Sequence, residues 1–402
     1  MKIKNFLYKK KNYRLKTFFL LILLIIIPMF SIQVSADSSS ESNEWELYVN
    51  TYEALDEIDF SKLNDIFKDY DLQNLFHVDF ETFVTNIVEG DLHVDAGTIF
   101  QYLFDVLFYH IKKILPALII ILVVAVVLKC LECFSPTVFK DGILDIINFI
   151  AVGFVVVVLS SLVLGVDNVI SDTIASLQNI INLLFPILLV LLSGMGAYSS
   201  VAIYTPISSI LTTGISNVLS NYLYPIFIIS FVLIIIASLS NKLKIDKFID
   251  FLFSLFKWGL GFVFTIFSGV FALKGISAGK YDSVSIFTTK FAIKNYVPLI
   301  GSYISEGFNY VVLGSMLVKN AIGIAGVVFI VLVILSPLIY LIVAKLLLQL
   351  LASILEIVGS FNIVTLLTKV SKIFVMPIAV LMGVGFMFII CISLVICTAN
   401  II

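Results

Sequence analysis

The chain carries a series of apolar runs, each of a length suited to crossing a lipid bilayer. A bilayer has a hydrocarbon core about 30 Å thick, which a helix of about 20 residues spans. Lipid offers no hydrogen-bond partners to the backbone, so a run of this kind must satisfy its own backbone as a helix. A mean hydropathy of +1.11 and a hydrophobic content of 60% exclude an ordinary soluble domain. The sequence therefore predicts an all-α, polytopic α-helical membrane protein.

Eight runs have the length of a spanning helix: Ile114–Leu131, Ile143–Gly165, Ile180–Ala197, Val201–Ser220, Tyr222–Leu239, Phe251–Leu273, Ile322–Ala344 and Phe374–Ile396. Leu346–Val358 is too short to cross, and Val297–Val318 is a further candidate, so we expect about seven to nine spans. A loop at Asp167 and Asp172 without lysine fits the outside, and Lys242, Lys244 and Lys247 fit the cytoplasm provided that Val201–Ser220 crosses. Beyond Leu273 the charges leave the orientation of the C-terminus open.

Residues 1–36 have the three parts of a cleaved signal peptide. Seven of the 25 basic residues lie in the first sixteen positions, and an apolar run from Phe18 to Phe30 follows them. Small residues at Val34-Ser35-Ala36 then predict cleavage between Ala36 and Asp37. An uncleaved membrane anchor is the alternative. In either case the basic head holds the N-terminus inside and sends Asp37 outside.

Residues 37–112 form an acidic region that we expect to be a small extracytoplasmic helical domain. From Asp37 to His110 there are 17 acidic residues against only Lys62 and Lys68. Apolar residues recur there at three-to-four-residue spacing, and the last of these helices runs on into the first span. A region of this size has a thin core and depends on the membrane or a partner for stability. The remainder, residues 113–402, is the predicted membrane domain.

Residues 289–326 are too charged for an ordinary spanning helix and too apolar for an ordinary loop. Pro298 stops any helix begun at Phe291, because it lacks an amide donor and clashes with the preceding turn. A second helix follows, with Gly323 and Gly326 opening the next span. Interrupted segments are tolerated in membrane proteins only where protein or a wet cavity covers them. The stretch is therefore either a buried half-helix or an amphipathic connector on the membrane surface.

Ionisable residues within or near the spans are the other candidates for function: Asp145, Lys257, Glu306 and Glu356. Asp145 and Lys257 lie near span ends, where their side chains can reach the bilayer surface, so a structural role is favoured for them. Cys130 and Cys133 form a lone CxxC without a nearby histidine, which we interpret as structural. No catalytic or nucleotide-binding motif is present. The sequence predicts no enzyme activity, no cofactor, no metal and no nucleic-acid partner.

The stretch at 289–326, together with the order of parts, resembles the stage III sporulation protein AE family of endospore-forming bacteria. The residues that carry the resemblance are Thr289-Lys290-Phe291, Asn295, Val297-Pro298, Gly301, Lys319-Asn320, Gly323 and Gly326. The signal peptide, the acidic helical domain, the membrane domain and the total length also agree with the family layout.

The resemblance implies a membrane component of the channel or secretion-like complex that joins mother cell and forespore, needed for forespore maintenance and late forespore gene expression. It implies the outer forespore membrane as the location, and as partners a cytoplasmic ATPase, ring-forming membrane proteins of the same operon and, indirectly, a forespore membrane protein. A homo-oligomer is left open. Our hypothesis makes 289–326 the gate or partner-contact surface, through Lys290, Lys294, Asn295, Pro298, Gly301, Glu306, Lys319, Asn320, Gly323 and Gly326. The alternatives are a secondary transporter and a non-conducting scaffold for the ATPase.

Overall fold

The computed structural model describes residues 51–52, 55, 58–70, 72–76, 78–90, 96–138, 143–239, 245–296 and 301–398, and the regular structure in these ranges is helical. Three short helices come first: α1 (Ser61–Asp69), α2 (Leu72–Phe76) and α3 (Phe80–Glu89). The longer ones are α4 (Ala96–Val138), α5 (Ile143–Gly194), α6 (Tyr198–Ser209), α7 (Tyr224–Leu239), α8 (Asp246–Tyr296), α9 (Gly301–Val358), α10 (Phe361–Ile373) and α11 (Val375–Cys397). The predicted signal peptide, its cleavage site between Ala36 and Asp37, and the residues Lys242, Lys244 and Pro298 lie outside the described residues.

Helix α9 is the centre of the molecule, and α4, α5, α10 and α11 pack around it. Its inward face is apolar and fully buried at Ile322, Phe329, Val333 and Leu341. The helix ends at Val358, because Gly359 adopts a φ of +88° and turns the chain back into α10. Helices α10 and α11 then run antiparallel to α9, so that Gly385 lies against Ile334 and Gly323 lies against Ile396.

Six helical segments of the described chain are long and apolar enough to span a membrane, whereas the sequence predicted about seven to nine. The main difference is at α5, a single helix of 52 residues where two spans and a loop were expected. The apolar periodicity continues through the expected loop at Val166, Ile170 and Ile174, all buried. Asp167 and Asp172 therefore lie on a helix without a break: Asp172 is exposed, and Asp167 is half-buried beside Tyr224 of α7.

The predicted spans Val201–Ser220 and Tyr222–Leu239 lie in one helical run that is irregular in its middle. After α6 the chain forms π-helical turns at Ile210–Ile215 and Leu219–Leu223, separated by a short α-helical link at Ser216–Val218, and then enters α7. The middle of this run is rich in serine, threonine and asparagine, whose side chains compete for backbone hydrogen bonds. Turns of this kind occur frequently at functional sites.

The described part of the acidic region, helices α1–α3, packs against the long helices of the chain. Phe67 and Phe80 pack on Phe329 of α9, with ring centroids 5.4 Å and 5.7 Å apart. Asp79 caps α3 by accepting a 2.9 Å hydrogen bond from the Thr82 amide, and Gly90 ends this helix with a φ of +74°. The following helix, α4, runs without a break into the first apolar run, as the sequence predicted.

Candidate functional site

The structure divides residues 289–326 into an exposed end and a buried foot. Helix α8 begins at Asp246, not near Phe291 as the sequence suggested, and ends at Tyr296, just before Pro298. Helix α9 begins at Gly301 and continues through Gly323 and Gly326 without the expected break. The ends of the two helices form a hairpin tip, which we define as residues 287–296 and 301–311.

The hairpin tip carries most of the charges that the sequence singled out. Lys294 and Glu306 are exposed, and Lys290 is half-buried, which lowers the pKa of its ammonium group. Asn295 is exposed, and its side-chain amide donates a 2.8 Å hydrogen bond to the Phe291 carbonyl in the last turn of α8. Exposed apolar side chains stand beside these polar groups: Phe287, Phe291, Ile304 and Val311. The tip thus presents a mixed basic and apolar surface.

Lys319 lies in the foot and is fully buried, unlike the lysines of the tip. Its Nζ donates hydrogen bonds to the carbonyl oxygens of Ile396 at 3.0 Å and Thr398 at 2.5 Å. These carbonyls belong to the C-terminal end of α11, where the helix has no backbone donors to offer them. A cation there also complements the negative end of the helix dipole. Lys319 therefore caps α11 from the neighbouring helix α9.

Tyr204 ties the short helix α6 to the same end of α11. Its hydroxyl lies 2.8 Å from the Thr398 hydroxyl, which donates to the Leu394 carbonyl at 2.7 Å. Because the Thr398 proton is used in that bond, Tyr204 is the donor between the two hydroxyls. Tyr204 and Thr398 are both buried.

Asp282 of α8 completes this group, and the sequence analysis missed it. Its fully buried carboxylate accepts hydrogen bonds from the backbone amides of Ser199 at 3.0 Å and Ser200 at 3.1 Å, and from the Ser200 hydroxyl. Those amides open helix α6, so an anion lies at its positive end. We call Lys319, Thr398, Tyr204, Ser200 and Asp282 the capping cluster. The sequence shows Asp282 as an acidic residue among small ones, which could have singled it out. Nothing near it in the chain indicates that its partner is the start of α6, 82 residues earlier.

Gly323 and Gly326 let α9 approach its neighbours closely. A Cβ at Gly323 would lie 2.7 Å from Ile396 Cδ1, and one at Gly326 would lie 2.7 Å from Leu184 Cδ1. Asn320, next to Lys319, has a buried side-chain oxygen without a hydrogen-bond partner in the described part of the chain. Small residues at helix interfaces of this kind support close backbone packing.

We expect Gly323→Ala to destabilise the protein by about 1–3 kcal/mol, because the new methyl group would force α11 away from α9. Thermal denaturation of the purified protein in detergent measures this change. The matched control is Gly307→Ala in the same helix, where an added Cβ has nothing within 4 Å. Alanine is the better helix former there, so the control should be neutral or slightly stabilising. Equal melting temperatures for the two variants would contradict the packing role of Gly323.

The remaining charge candidates do not join the capping cluster. Lys257 is exposed, and its Nζ lies 4.3 Å from the centroid of the Phe253 ring. Glu356 is exposed near the end of α9. Asp145 lies in the first turn of α5, and its side chain is outside the described residues. Among the described residues, no group of three or more histidine, cysteine, aspartate or glutamate side chains is placed to hold a metal ion.

Comparison with known proteins places the chain in a family. The profile of Stage III sporulation protein AE matches residues 78–399, which include every helix from α3 to α11 and the whole capping cluster. Stage III sporulation protein AE of Bacillus subtilis (strain 168) is 26% identical over 317 residues, covering 78% of each chain. No solved structure matches. Since the matched region contains both the hairpin tip and the buried foot, the chain belongs to the stage III sporulation protein AE family.

Proposed function

We propose that this protein is an integral membrane component of the complex that connects mother cell and forespore during sporulation. Family membership over residues 78–399 and the apolar helices support a membrane protein of sporulation. In this proposal the protein sits in the outer forespore membrane and works with a cytoplasmic ATPase and ring-forming proteins. Its work maintains the forespore and its late gene expression.

The observation that carries the proposal is the contrast between the hairpin tip and its foot. Lys294 and Glu306 are exposed at the tip, where they are free of the packed helices. Lys319, Gly323 and Gly326 are locked in the foot by hydrogen bonds and close packing. A gate must move, and these contacts favour a fixed foot. The tip is therefore a partner-contact surface in our proposal, and its charged and apolar side chains fit a protein partner in the space between the two membranes.

Charge reversal at the tip tests the proposal. We expect Lys290→Glu combined with Lys294→Glu to block forespore development and late forespore gene expression while the protein accumulates at its normal level. Both side chains are at least partly accessible, so the fold tolerates the change and the loss falls on partner contact. Fluorescent reporters and microscopy of sporulating cells measure both outcomes.

The control is Lys62→Glu, which places the same reversal on the exposed face of α1. It should leave sporulation unchanged. Normal forespores with the double variant would refute the contact role of the tip. Deletion of the whole gene separates the wider alternatives: shrunken forespores support the complex, whereas normal sporulation with impaired growth on a nutrient favours a secondary transporter.

A further inference from the structure

Three of the helices are far longer than a bilayer requires. Helices α5, α8 and α9 have 52, 51 and 58 residues. At 1.5 Å per residue each extends over about 75 Å or more. The hydrocarbon core is about 30 Å thick, so roughly half of each helix must lie outside it. The surface of the helices indicates which half.

The exposed face of helix α5 changes from apolar to polar partway along its length, and beyond Asn182 it consists of Pro186, Val190 and Gly194. From Ile146 to Leu164 the exposed positions are apolar except for Ser161: Ile146, Phe149, Ile150, Phe154, Val157 and Leu164. From Asn168 to Asn182 every exposed position is polar or alanine: Asn168, Ser171, Asp172, Ala175, Asn179 and Asn182. The buried face stays apolar throughout. Such a switch occurs where a helix leaves lipid and enters water.

The run from α6 to α7 shows a related change in the opposite chain direction. Its first part exposes a mixed surface, polar at Thr205, Ser209, Thr213, Asn217 and Asn221 and apolar at Ile210, Val218 and Tyr222. Apolar residues are exposed in α7, at Ile229, Val232 and Ile236. In α4, every exposed position from Leu115 to Val127 is apolar, and Lys112 and Lys113 are exposed just before it. Before these lysines the exposed face of α4 is aromatic again, at Phe100, Phe104, Phe108 and Tyr109, so α4 marks the boundary by its lysines only.

The ends of the apolar faces lie at common levels. At one end, Lys113 lies over the Tyr340 ring at 5.9 Å, and the Tyr340 hydroxyl lies 3.2 Å from a Cβ built on Gly165. At the other end, Glu132 pairs with Lys129 at 2.9 Å and accepts a 3.2 Å hydrogen bond from Asn148. Lys129 also lies against Gly359.

The two levels are one bilayer thickness apart. On α5 the two levels lie at Asn148 and Gly165, and along α9 they lie at Gly359 and Tyr340. Each pair is about 25–30 Å apart along its helix. The two helices are antiparallel and packed on each other, so both measure the same separation between the levels. It matches the thickness of a hydrocarbon core.

We propose that a single bilayer encloses only this belt of the molecule, between the two levels. The other half, with the far ends of α5, α8, α9 and α11, the π-helical turns, the capping cluster and the hairpin tip, stands in water. Helices α1–α3 lie on this half, because Tyr70 is beside Ser176 and Phe67 is on Phe329. The predicted spans Ile180–Ala197 and Val201–Ser220 are part of this raised half and do not cross the membrane. Most of the predicted spans Ile322–Ala344 and Phe374–Ile396 also lies there, because the belt ends at Tyr340 on α9 and Gly385 packs beside Ile334.

Charges give the belt its orientation. Lys129 lies at the end marked by Glu132 and Gly359. Lys369 and Lys372 follow Gly359 by 10 and 13 residues on α10, and they pair with Asp246 and Asp250 at the start of α8, beside Lys247. An excess of lysine marks the cytoplasmic side, so the raised half is extracytoplasmic. Glu356 fits this placement, because it lies three residues before Gly359 at the cytoplasmic end of the belt. Lys257 lies near the other end, since Leu260, one turn further along α8, packs against Gly383 of α11; there its side chain can reach the bilayer surface. Lys319 and Asp282 are outside the lipid, which removes the cost of two charges in hydrocarbon.

Labelling of single cysteines tests this placement in the full chain, after replacement of all four native cysteines. Vegetative cells of a Gram-positive host would express the variants and be treated with a membrane-impermeant maleimide before and after permeabilisation. Asn182→Cys and Thr213→Cys should react in intact cells. They should react at least about tenfold faster than Ile150→Cys and Val157→Cys, since the reactive thiolate forms only in water. Lys247→Cys should react only after permeabilisation.

Protection of Asn182→Cys and Thr213→Cys in both conditions would overturn the proposal, because these positions would then lie in lipid. Reaction of these two only after permeabilisation would overturn the assigned side. All five substitutions replace exposed residues, so they should fold. Size-exclusion chromatography of each purified variant shows whether it does, and the result is independent of any role in sporulation.

Discussion

Lys319→Met should lower the free energy of unfolding by about 3 kcal/mol. This is the largest effect that we expect from changing a single residue of the capping cluster. Methionine fills a similar volume but donates no hydrogen bond, so the carbonyls of Ile396 and Thr398 would be left buried without this donor. Hydrogen bonds from a charged donor contribute about 1.5–3 kcal/mol each to stability. The variant loses two of them, but part of this loss is offset because it no longer has to desolvate a buried ammonium group. Thermal denaturation in detergent and the steady-state level in cells measure the loss.

Lys294→Met is the matched control, because it makes the same change at an exposed position of the hairpin tip. It should alter stability by less than about 0.5 kcal/mol, as exposed substitutions usually do. A melting temperature of Lys319→Met equal to that of the control would mean that the α11 end is satisfied without Lys319. The carbonyls of Ile396 and Thr398 would then accept hydrogen bonds from other donors, and the burial of Lys319 would need another explanation.

The helical membrane class followed from the sequence because lipid imposes one solution on a long apolar run. The helix itself is predicted well at α11, where the expected Phe374–Ile396 differs from the observed Val375–Cys397 by one residue at each end, because a long apolar run satisfies its backbone as a helix in protein as in lipid. The prediction failed at α5, since hydropathy read Asp167 and Asp172 as the edges of two spans. Hydropathy averages over all faces of a helix, whereas Asp172 lies on its exposed side and Asp167 beside the Tyr224 side chain of α7. Knowing these surroundings requires the packing.

The site was predicted in part for a similar reason. A proline near the end of α8 and charges around it marked the hairpin tip, because local backbone rules act over a few residues. Lys319 also stood out as a charge in an apolar context. Its partners at the end of α11 are 77 and 79 residues away in the chain, and no local rule identifies them. The split of one charged stretch into an exposed tip and a buried foot is likewise a result of tertiary packing.

Asp282 shows the limit most clearly, since it was not singled out although it is the buried acid of the capping cluster. It substitutes for the N-cap side chain that α6 lacks, because Ala197 occupies the N-cap position and has no side-chain acceptor. A cap supplied from another helix fixes both the start of α6 and the register of α8 against it. Lys319 of α9 likewise caps a neighbouring helix, at the C-terminal end of α11. The two charges thus hold four helices together without forming an ion pair with each other.

Asp282→Ala should therefore lower the free energy of unfolding by about 2–3 kcal/mol, because two amides and one hydroxyl lose their acceptor. Asp282→Asn should recover part of the loss, since its carbonyl oxygen can still accept one of these bonds. The control is Asp246→Ala on the same helix, whose carboxylate pairs with Lys369 at 2.5 Å on the surface. Exposed pairs contribute only about 0–1 kcal/mol. A loss for Asp282→Ala no greater than for Asp246→Ala, measured by thermal denaturation in detergent, would show that α6 begins without its cap. Because the hairpin tip extends from α8 just beyond this contact, a real loss would also weaken forespore development through the tip.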